Sequence, residues 1–434
     1  MDRARISIES LAHGGDGVGR LPDGRTVFVP ASCPGDELDI ELTEDHDRWA
    51  RGTLLGIVTP SPDRVTPPCP YFGVCGGCQW QHVSYGTQLT AKQTSVRDAL
   101  ARIGGQTDAV VEPVIESPAV YGYRNKIELT ATASPTGLEL GLARPGTHEV
   151  LPIDACLLLP EDARRLPKSL SGALRFLARR GALGILRVTV RVSSAGEVAV
   201  TLWTSGGPFP RAAVGKTIAE ATGARSVTRV IVRGALERRD ISQVEVLAGP
   251  GTWRETLGQD RYTVSASSFF QVNTAAAEAL RALAVRALGA DGTVRAADLY
   301  AGVGTFTLPI ARAAGEVVAV EASRHALADL RHNLEDARLD ADVVPGDAAY
   351  ALADLGHLDA AIVDPSRAGL SANAMRALES ARIPRIVYVS CDPATLARDV
   401  KLLGAMGYAP AGFAPVDLFP QTFHVETVAV LDRV

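Results

Sequence analysis

Polar and apolar positions change rhythm twice along the 434-residue chain. Over residues 3–58, short runs (ARISIESL, DGVGRL, RTVFVP, DELDIEL, RWARGTLLGIV) alternate or cluster, split by HGG, PDG and CPG turns. A period of two marks half-buried strands, and Gly, Pro and Asp punctuate them. The pattern predicts a small β-barrel over 1–60. TPSPDRVTPPCP (59–70) reads as a stiff, extended linker. A cysteine cluster at 69–78 and a helix-like run through 88–103 follow. From about 110 to 265 the chain is strand-like, with one helix around 161–181. GILRVTVRVSSAGEVAVTLWTS is a hairpin around SSAG, and RSVTRVIVRG and SQVEVLAG continue the pattern. A strand-rich central domain over 61–270 is expected.

Beyond residue 272 strands and helices alternate. NTAAAEALRALAVRALG predicts a helix with Asn273 as its N-cap. TVRAADLY, EVVAVEA, ADVVPGDA, LDAAIVDP, RIVYVSCD, AGFAPVDLF and HVETVAVLD supply seven strand candidates, the last two close enough to form a hairpin. The fold class is therefore α/β, with a Rossmann-like, mostly parallel sheet over 271–434 that carries one late reversed strand.

Composition narrows the function classes. The chain is 46% hydrophobic and 21% charged, with no apolar run long enough to span a membrane. MDRARISIES carries no apolar signal region, so a cytoplasmic location is expected. Six unevenly spaced cysteines suit a reducing compartment, where they serve as ligands, nucleophiles or core residues. A net charge of −5 argues against bulk, non-specific nucleic-acid binding. Of the 44 basic residues 39 are arginine, which suits phosphate contacts and base stacking but also follows from biased codon usage.

DLYAGVGTF (298–306) is the strongest local motif: a strand end, a Gly-rich turn and a helix start. Gly302 and Gly304 allow close backbone approach to a ligand, and the helix start offers free N–H groups. Glu321 ends the next strand 17 residues after Gly304, where it can accept hydrogen bonds from ribose hydroxyls. Asp347 ends the third strand, a position for an adenine amino group. Thr305 and Phe306 fill the place of a third glycine, so adenosine without pyrophosphate, as in S-adenosylmethionine, fits better than a dinucleotide.

Two cysteine features remain. In RIVYVSCDPATL a buried strand runs into a helix with Asp392 as N-cap and Pro393 at N1, which places Cys391 at the ligand-binding edge of the sheet. In CPYFGVCGGC, Cys69, Cys75 and Cys78 are spaced as soft ligands of zinc or an iron–sulfur cluster. Cys156 is the best fourth ligand and Cys33 the alternative.

Taken in order, CPYFGVCGGCQWQH, YRNKIEL, SSFFQVN, DLYAGVGTF, DPSRAGL, SCDPATLARD and LFPQTFHVE resemble the S-adenosylmethionine-dependent RNA uracil-C5 methyltransferases over the whole chain. The likeness is to members with an N-terminal RNA-binding TRAM barrel (an OB-like β-barrel) and a four-iron, four-sulfur cluster, acting on 23S ribosomal RNA. It implies Cys391 as nucleophile and Glu426 as general base. Gln271, Tyr300, Glu321, Asp364 and, more weakly, Asp347 match cofactor contacts; Cys69, Cys75, Cys78 and Cys156 match cluster ligands. Three positions depart from the common pattern: Ala301, Ser366 and Asp392. The last sets a carboxylate beside the nucleophile, which opposes thiolate formation, while the helix N-terminus favours it.

The implied partner is RNA, with its target nucleotide flipped out of the stack. Phe269, Phe270 and Arg367 are candidates to stack or clamp there, and His424 shares a strand face with Glu426. A ribosomal uridine is favoured over uracil-54 of transfer RNA. A catalytically silent RNA-binding or assembly factor, and a methyltransferase for DNA cytosine or a small molecule, are the competing readings.

Overall fold

Five N-terminal strands close on themselves: β1 (Arg3–Leu11), β2 (Gly17–Arg20), β3 (Thr26–Val29), β4 (Glu37–Asp45) and β5 (Trp49–Thr59). The structure, a computed structural model, describes residues 3–134, 137–179, 181–234 and 240–434. The barrel runs β1-β2-β3-β5-β4, and β4 returns to pair with β1. Ile6, Ile8, Val27, Val29, Leu38 and Ile40 point inward and are buried, as the period-two alternation requires.

The strap that follows carries Cys69, Cys75 and Cys78 and leads into α1 (Tyr85–Arg102), capped by the Ser84 side chain. Although it precedes the central sheet in sequence, α1 buries Val96 and Leu100 in the core of the C-terminal sheet. The chain beyond it lies beside the last sheet's edge: Glu112 N–H donates to Phe413 O and Ile115 N–H to Pro415 O, both at 2.9 Å. An otherwise open edge is thereby covered.

The central sheet comprises β6 (Lys126–Ser134), β7 (Gly137–Ala143), β8 (Val150–Pro152), β9 (Ile185–Val192), β10 (Val198–Thr204), β11 (Ser226–Arg233) and β12 (Asp240–Ala248), in the order β12-β11-β10-β9-β6-β7-β8. The expected hairpin is β9–β10. Two helices cover the sheet where the pattern predicts one: α2 (Leu166–Ala178) and α3 (Arg211–Thr222). The second buries only Val214, Gly215, Ile218 and Thr222, a stripe too thin to read as a helix. Gly215 is required there, because a Cβ would come within 2.4 Å of Leu247 O.

A β-ribbon, β13 (Thr252–Leu257) with β14 (Asp260–Ser265), leads to α4 (Thr274–Leu288), which Asn273 caps. The last unit alternates β15 (Arg295–Leu299), α5 (Thr307–Ala313), β16 (Glu316–Glu321), α6 (Arg324–Ala337), β17 (Asp342–Pro345), α7 (Ala348–Ala351), β18 (Ala360–Val363), α8 (Ala372–Ala381), β19 (Arg385–Ser390) and α9 (Pro393–Ala405), then β20 (Tyr408–Val416) and β21 (Glu426–Arg433). Its order is β17-β16-β15-β18-β19-β21-β20, with β21 the single reversed strand. Residues alternate between two cores: Leu299, Val320 and Tyr388 on one face, Ala296, Val317 and Val389 on the other. Burial on both faces explains the continuous apolar runs of these strands. Among the described residues no helix is long and apolar enough to cross a membrane.

Helix α1 and the final sheet are joined by a fully buried ion pair, Lys92 Nζ to Asp417 Oδ1 at 2.6 Å. Removing one partner strands the other charge in the core. Lys92→Met is expected to destabilise the protein by about 3–5 kcal/mol, read as a fall in the thermal unfolding midpoint. An unchanged midpoint would count against this role.

Candidate active site

The carboxyl edge of the C-terminal sheet gathers most of the residues singled out in the sequence. Tyr300 follows β15 with φ of 69°, a left-handed conformation unusual for a side chain. The two glycines of the turn do different work. A Cβ on Gly304 (φ 96°) would come within 2.7 Å of Leu308 and 2.8 Å of Leu330, so this glycine serves helix packing. A Cβ on Gly302 (φ 57°) meets nothing within 4 Å, so this glycine forms the open side of the cradle. Thr305 lies between Gly304 and the start of α5.

Glu321, at the end of β16, accepts from Gly302 N–H at 2.8 Å and from Ser323 N–H at 2.7 Å. Each carboxylate oxygen keeps a lone pair for a further donor. Asp347 caps α7 through Ala349 N–H at 2.9 Å. Gln271 is buried ahead of α4, its carbonyl accepting from Asn125 Nδ2 at 2.8 Å. Asp364 follows β18, and burial together with Asp298 pushes its carboxyl up to about 7. Asp298 itself went unassigned in the sequence. It is fully buried, accepts from Thr307 Oγ1 at 2.5 Å and is also pushed up to about 7, chiefly by burial. Its Oδ1 has no hydrogen-bond partner among the described residues.

The second half of the site follows from strand register. Ser390 pairs with Thr427 across β19 and β21, so Cys391 and Glu426 are neighbours at the ends of antiparallel strands. Burial pushes the Cys391 thiol up to about 12, with Glu426 adding to the shift and Arg367 opposing it through its charge and a hydrogen bond. Burial and Asp364 push Glu426 up to about 8. Asp392, the suspected opponent of the thiolate, spends Oδ1 on the N–H groups of Ala394 and Thr395 at 3.0 and 2.9 Å. The carboxylates acting on Cys391 are instead Glu426 and Asp364.

Arg367 also lies 3.3 Å from His424 Nε2. Burial, with Arg367 next, pushes His424 down to about 4, so it is neutral near pH 7. The barrel contributes a residue that sequence alone did not suggest: His13 lies 3.8 Å from Asp392 and edge-on to Phe423 at 5.2 Å. No local signal marks His13, because its role depends on domain packing. Of the paired phenylalanines, Phe270 is core and Phe269 is 64% exposed. A groove of about 1300 Å³ runs from His13 and Phe423 between the barrel and the strap, past Phe28, Trp49, Arg51 and Arg144.

Cys69, Cys75, Cys78 and Cys156 together line one cavity of about 270 Å³, with Tyr71, Ile127, Leu142 and Ile153 among its apolar walls. Cys33 is absent from it and packs with Trp80 and Val83. Among the described residues, no group of three or more His, Cys, Asp or Glu side chains is arranged to hold a metal ion.

Residues 2–55 match the TRAM domain model, and residues 352–434 match the tRNA (uracil-5-)-methyltransferase model. An uncharacterized RNA methyltransferase of Gloeobacter violaceus is 38% identical over 454 residues, covering 99% of this chain and 96% of that protein. One from Synechocystis sp. is 35% identical, covering 99% and 95%. Among solved structures, the tRNA (uracil-54, C5)-methyltransferase of Pyrococcus abyssi in complex with S-adenosyl-L-homocysteine superposes with a TM-score of 0.76 at 28% identity. That match covers 98% of this chain and 100% of the other.

The charges around Cys391 make its reactivity testable. Below its raised pKa, alkylation of Cys391 by iodoacetamide should quicken about tenfold per pH unit. At about pH 9, where Glu426 is ionised, Glu426→Gln removes an opposing charge and should speed alkylation, whereas Arg367→Ala should slow it. Mass spectrometry of the Cys391 peptide reads both, and a rate indifferent to pH and to both variants would refute the electrostatic account.

Proposed function

This chain belongs to the RNA methyltransferases of the uracil-5 family, and from that premise we propose that it methylates C5 of a specific uridine in folded RNA. The observation that carries the reading is the adjacency of Cys391 and Glu426, with Arg367 beside both. Uracil C5 is too weak a nucleophile by itself. Addition of the Cys391 thiolate to C6 forms an S–C6 bond and drives the C5–C6 π pair onto C5 and O4. C5 then accepts the methyl group, Glu426 removes the C5 proton, and the S–C6 bond breaks to restore the thiolate. Arg367 favours the thiolate in the first step, and burial makes the Glu426 carboxylate a stronger base for the third than an exposed one would be.

S-Adenosylmethionine, when bound, would supply the electrophilic methyl group on a sulfonium, whose S–CH3 bond breaks to leave neutral S-adenosylhomocysteine. The residues present fit it. Gly302 leaves an open cradle, Glu321 offers free lone pairs, and the buried acids Asp298 and Asp364 suit a cationic ligand. Gln271, Tyr300, Thr305 and Asp347 complete the proposed contacts.

The four-thiol cavity supports the proposed four-iron, four-sulfur cluster, held by Cys69, Cys75, Cys78 and Cys156. Such a cluster sits among its thiolates rather than drawing them onto one ion. Its proposed role is structural, since no step above needs an electron. Anaerobically purified protein should contain iron and acid-labile sulfide, and Cys156→Ser should lose both; a wild-type protein without sulfide would refute the cluster.

RNA is the proposed partner, with aromatic Phe28 and Trp49 and cationic Arg51 and Arg144 along the groove available to stack and pair. For the acceptor, 23S ribosomal RNA is the first reading. Uracil-54 of transfer RNA is the second, favoured by the full-length likeness to the Pyrococcus abyssi enzyme. Both RNAs, lacking 5-methyluridine, should be offered with methyl-labelled cofactor and analysed by mass spectrometry. Label is expected as 5-methyluridine in one RNA, and Cys391→Ala should abolish it. An active cofactor-binding protein that labels neither would move the function to another acceptor or to a silent factor.

A further inference from the structure

The loop between β20 and β21, which delivers His424 and Glu426, has its successive carbonyls from Leu418 to Gln421 held by residues remote in sequence. Leu418 O accepts from Asn273 Nδ2 at 3.1 Å and Phe419 O from Lys92 Nζ at 3.0 Å. Pro420 O accepts from the Tyr123 hydroxyl at 3.0 Å. Gln421 O accepts from both Gln79 N–H and Trp80 N–H at 3.0 Å, immediately after Cys78 in the strap.

Gln421 is the pivot of this loop. It is buried and holds a left-handed φ of 70°, a strained conformation for a residue with a side chain. Its other partner is Gln88 of α1. Gln421 N–H donates to Gln88 Oε1 at 2.9 Å, and Gln88 Nε2 reaches Gln421 Oε1 at 3.1 Å. The same Nε2 reaches Val83 O at 2.9 Å and Trp80 O at 3.1 Å, so one amide ties the strap, α1 and the catalytic loop together.

We infer that Gln88 is a positioning residue for the reaction, holding Gln421 in its left-handed turn so that Glu426 meets the C5 proton. Its side-chain hydrogen bonds go to Trp80, Val83 and Gln421, and none to Cys391 or Glu426. Without it Gln421 N–H is buried and unpaired, and the turn relaxes toward a commoner conformation. Glu426 acts as base only in the last step of the proposed reaction, so proton removal is the step that suffers most. The inference rests on the proposed uridine methylation, and its test includes a readout free of that reading.

The experiment compares Gln88→Ala with the wild type in three measurements. S-Adenosylhomocysteine affinity should stay within about twofold, showing an intact cofactor edge. With RNA the turnover rate should fall about tenfold or more while KM changes little, and a methylated, covalent protein–RNA adduct should accumulate on denaturing gels because elimination waits on the base. Hydrogen exchange of the peptide covering 417–426 should quicken, with that of 295–299 unchanged. Wild-type turnover with no adduct from the variant overturns the inference, as does cofactor binding and turnover failing together. Should Gln88→Ala not fold, Gln88→Met, which fills a similar volume but neither accepts from Gln421 N–H nor donates to Gln421 Oε1, takes its place with the same readings. If the wild type itself makes no 5-methyluridine, the functional reading falls, and exchange at 417–426 alone decides for or against the clasp.

Discussion

Insertion of Glu426–Arg433, antiparallel, between Arg385–Ser390 and Tyr408–Val416 is the constraint on which the site depends. In a wholly parallel sheet every strand would bring its carboxyl end to the ligand edge, and the first residue of a strand would lie at the opposite edge. Reversing one strand brings its first residue, Glu426, to the edge where Cys391 sits. Thirty-five residues of sequence separation collapse into one register step. The buried loop before Glu426 is held in place by side chains of α1, by Tyr123 and Asn273, and by backbone N–H groups of the cysteine strap.

Electrostatics at that edge are in deliberate tension. Asp298, Asp364 and Glu426 are acids withdrawn from water, and each is held above the ordinary carboxylate range. Burial first, then Glu426 and Asp364, raises the thiol of Cys391 as well, and Arg367 is the cation that works against them. Burial without enough compensating charge favours the neutral forms of these groups, and added positive charge would favour their ionisation. A sulfonium ligand is of that sign, which would link its binding to the ionisation of Cys391 and Glu426, the proposed nucleophile and base.

The remaining architecture serves access. The barrel does not stand apart from the chemistry: its Ala12–Asp16 turn sets His13 against Phe423 and Asp392, and the groove begins there. A net acidic chain can still meet RNA along such a path, because the relevant charge is local: Arg51, Arg144 and Arg367 lie on it or at its end.

Much of this was legible in the sequence. Period-two runs marked the barrel, apolar runs the doubly covered sheet, and caps such as Asn273 and Asp392 the helix starts, since these depend on neighbours within a few residues. Motifs at strand ends pointed to Gly302, Glu321 and Cys391, because a parallel sheet places its carboxyl ends at one edge. Local pattern missed Arg211–Thr222, whose buried stripe is thin and whose Gly215 answers to a distant carbonyl. Nor did it hint that Gln88 and Lys92 would bond the loop before Glu426, or that His13 would meet Asp392. Those contacts join residues more than about three hundred positions apart. Sequence determined the elements and the chemical groups at their ends; only the packing of one unit on another decided which of those groups meet, and with what charge around them.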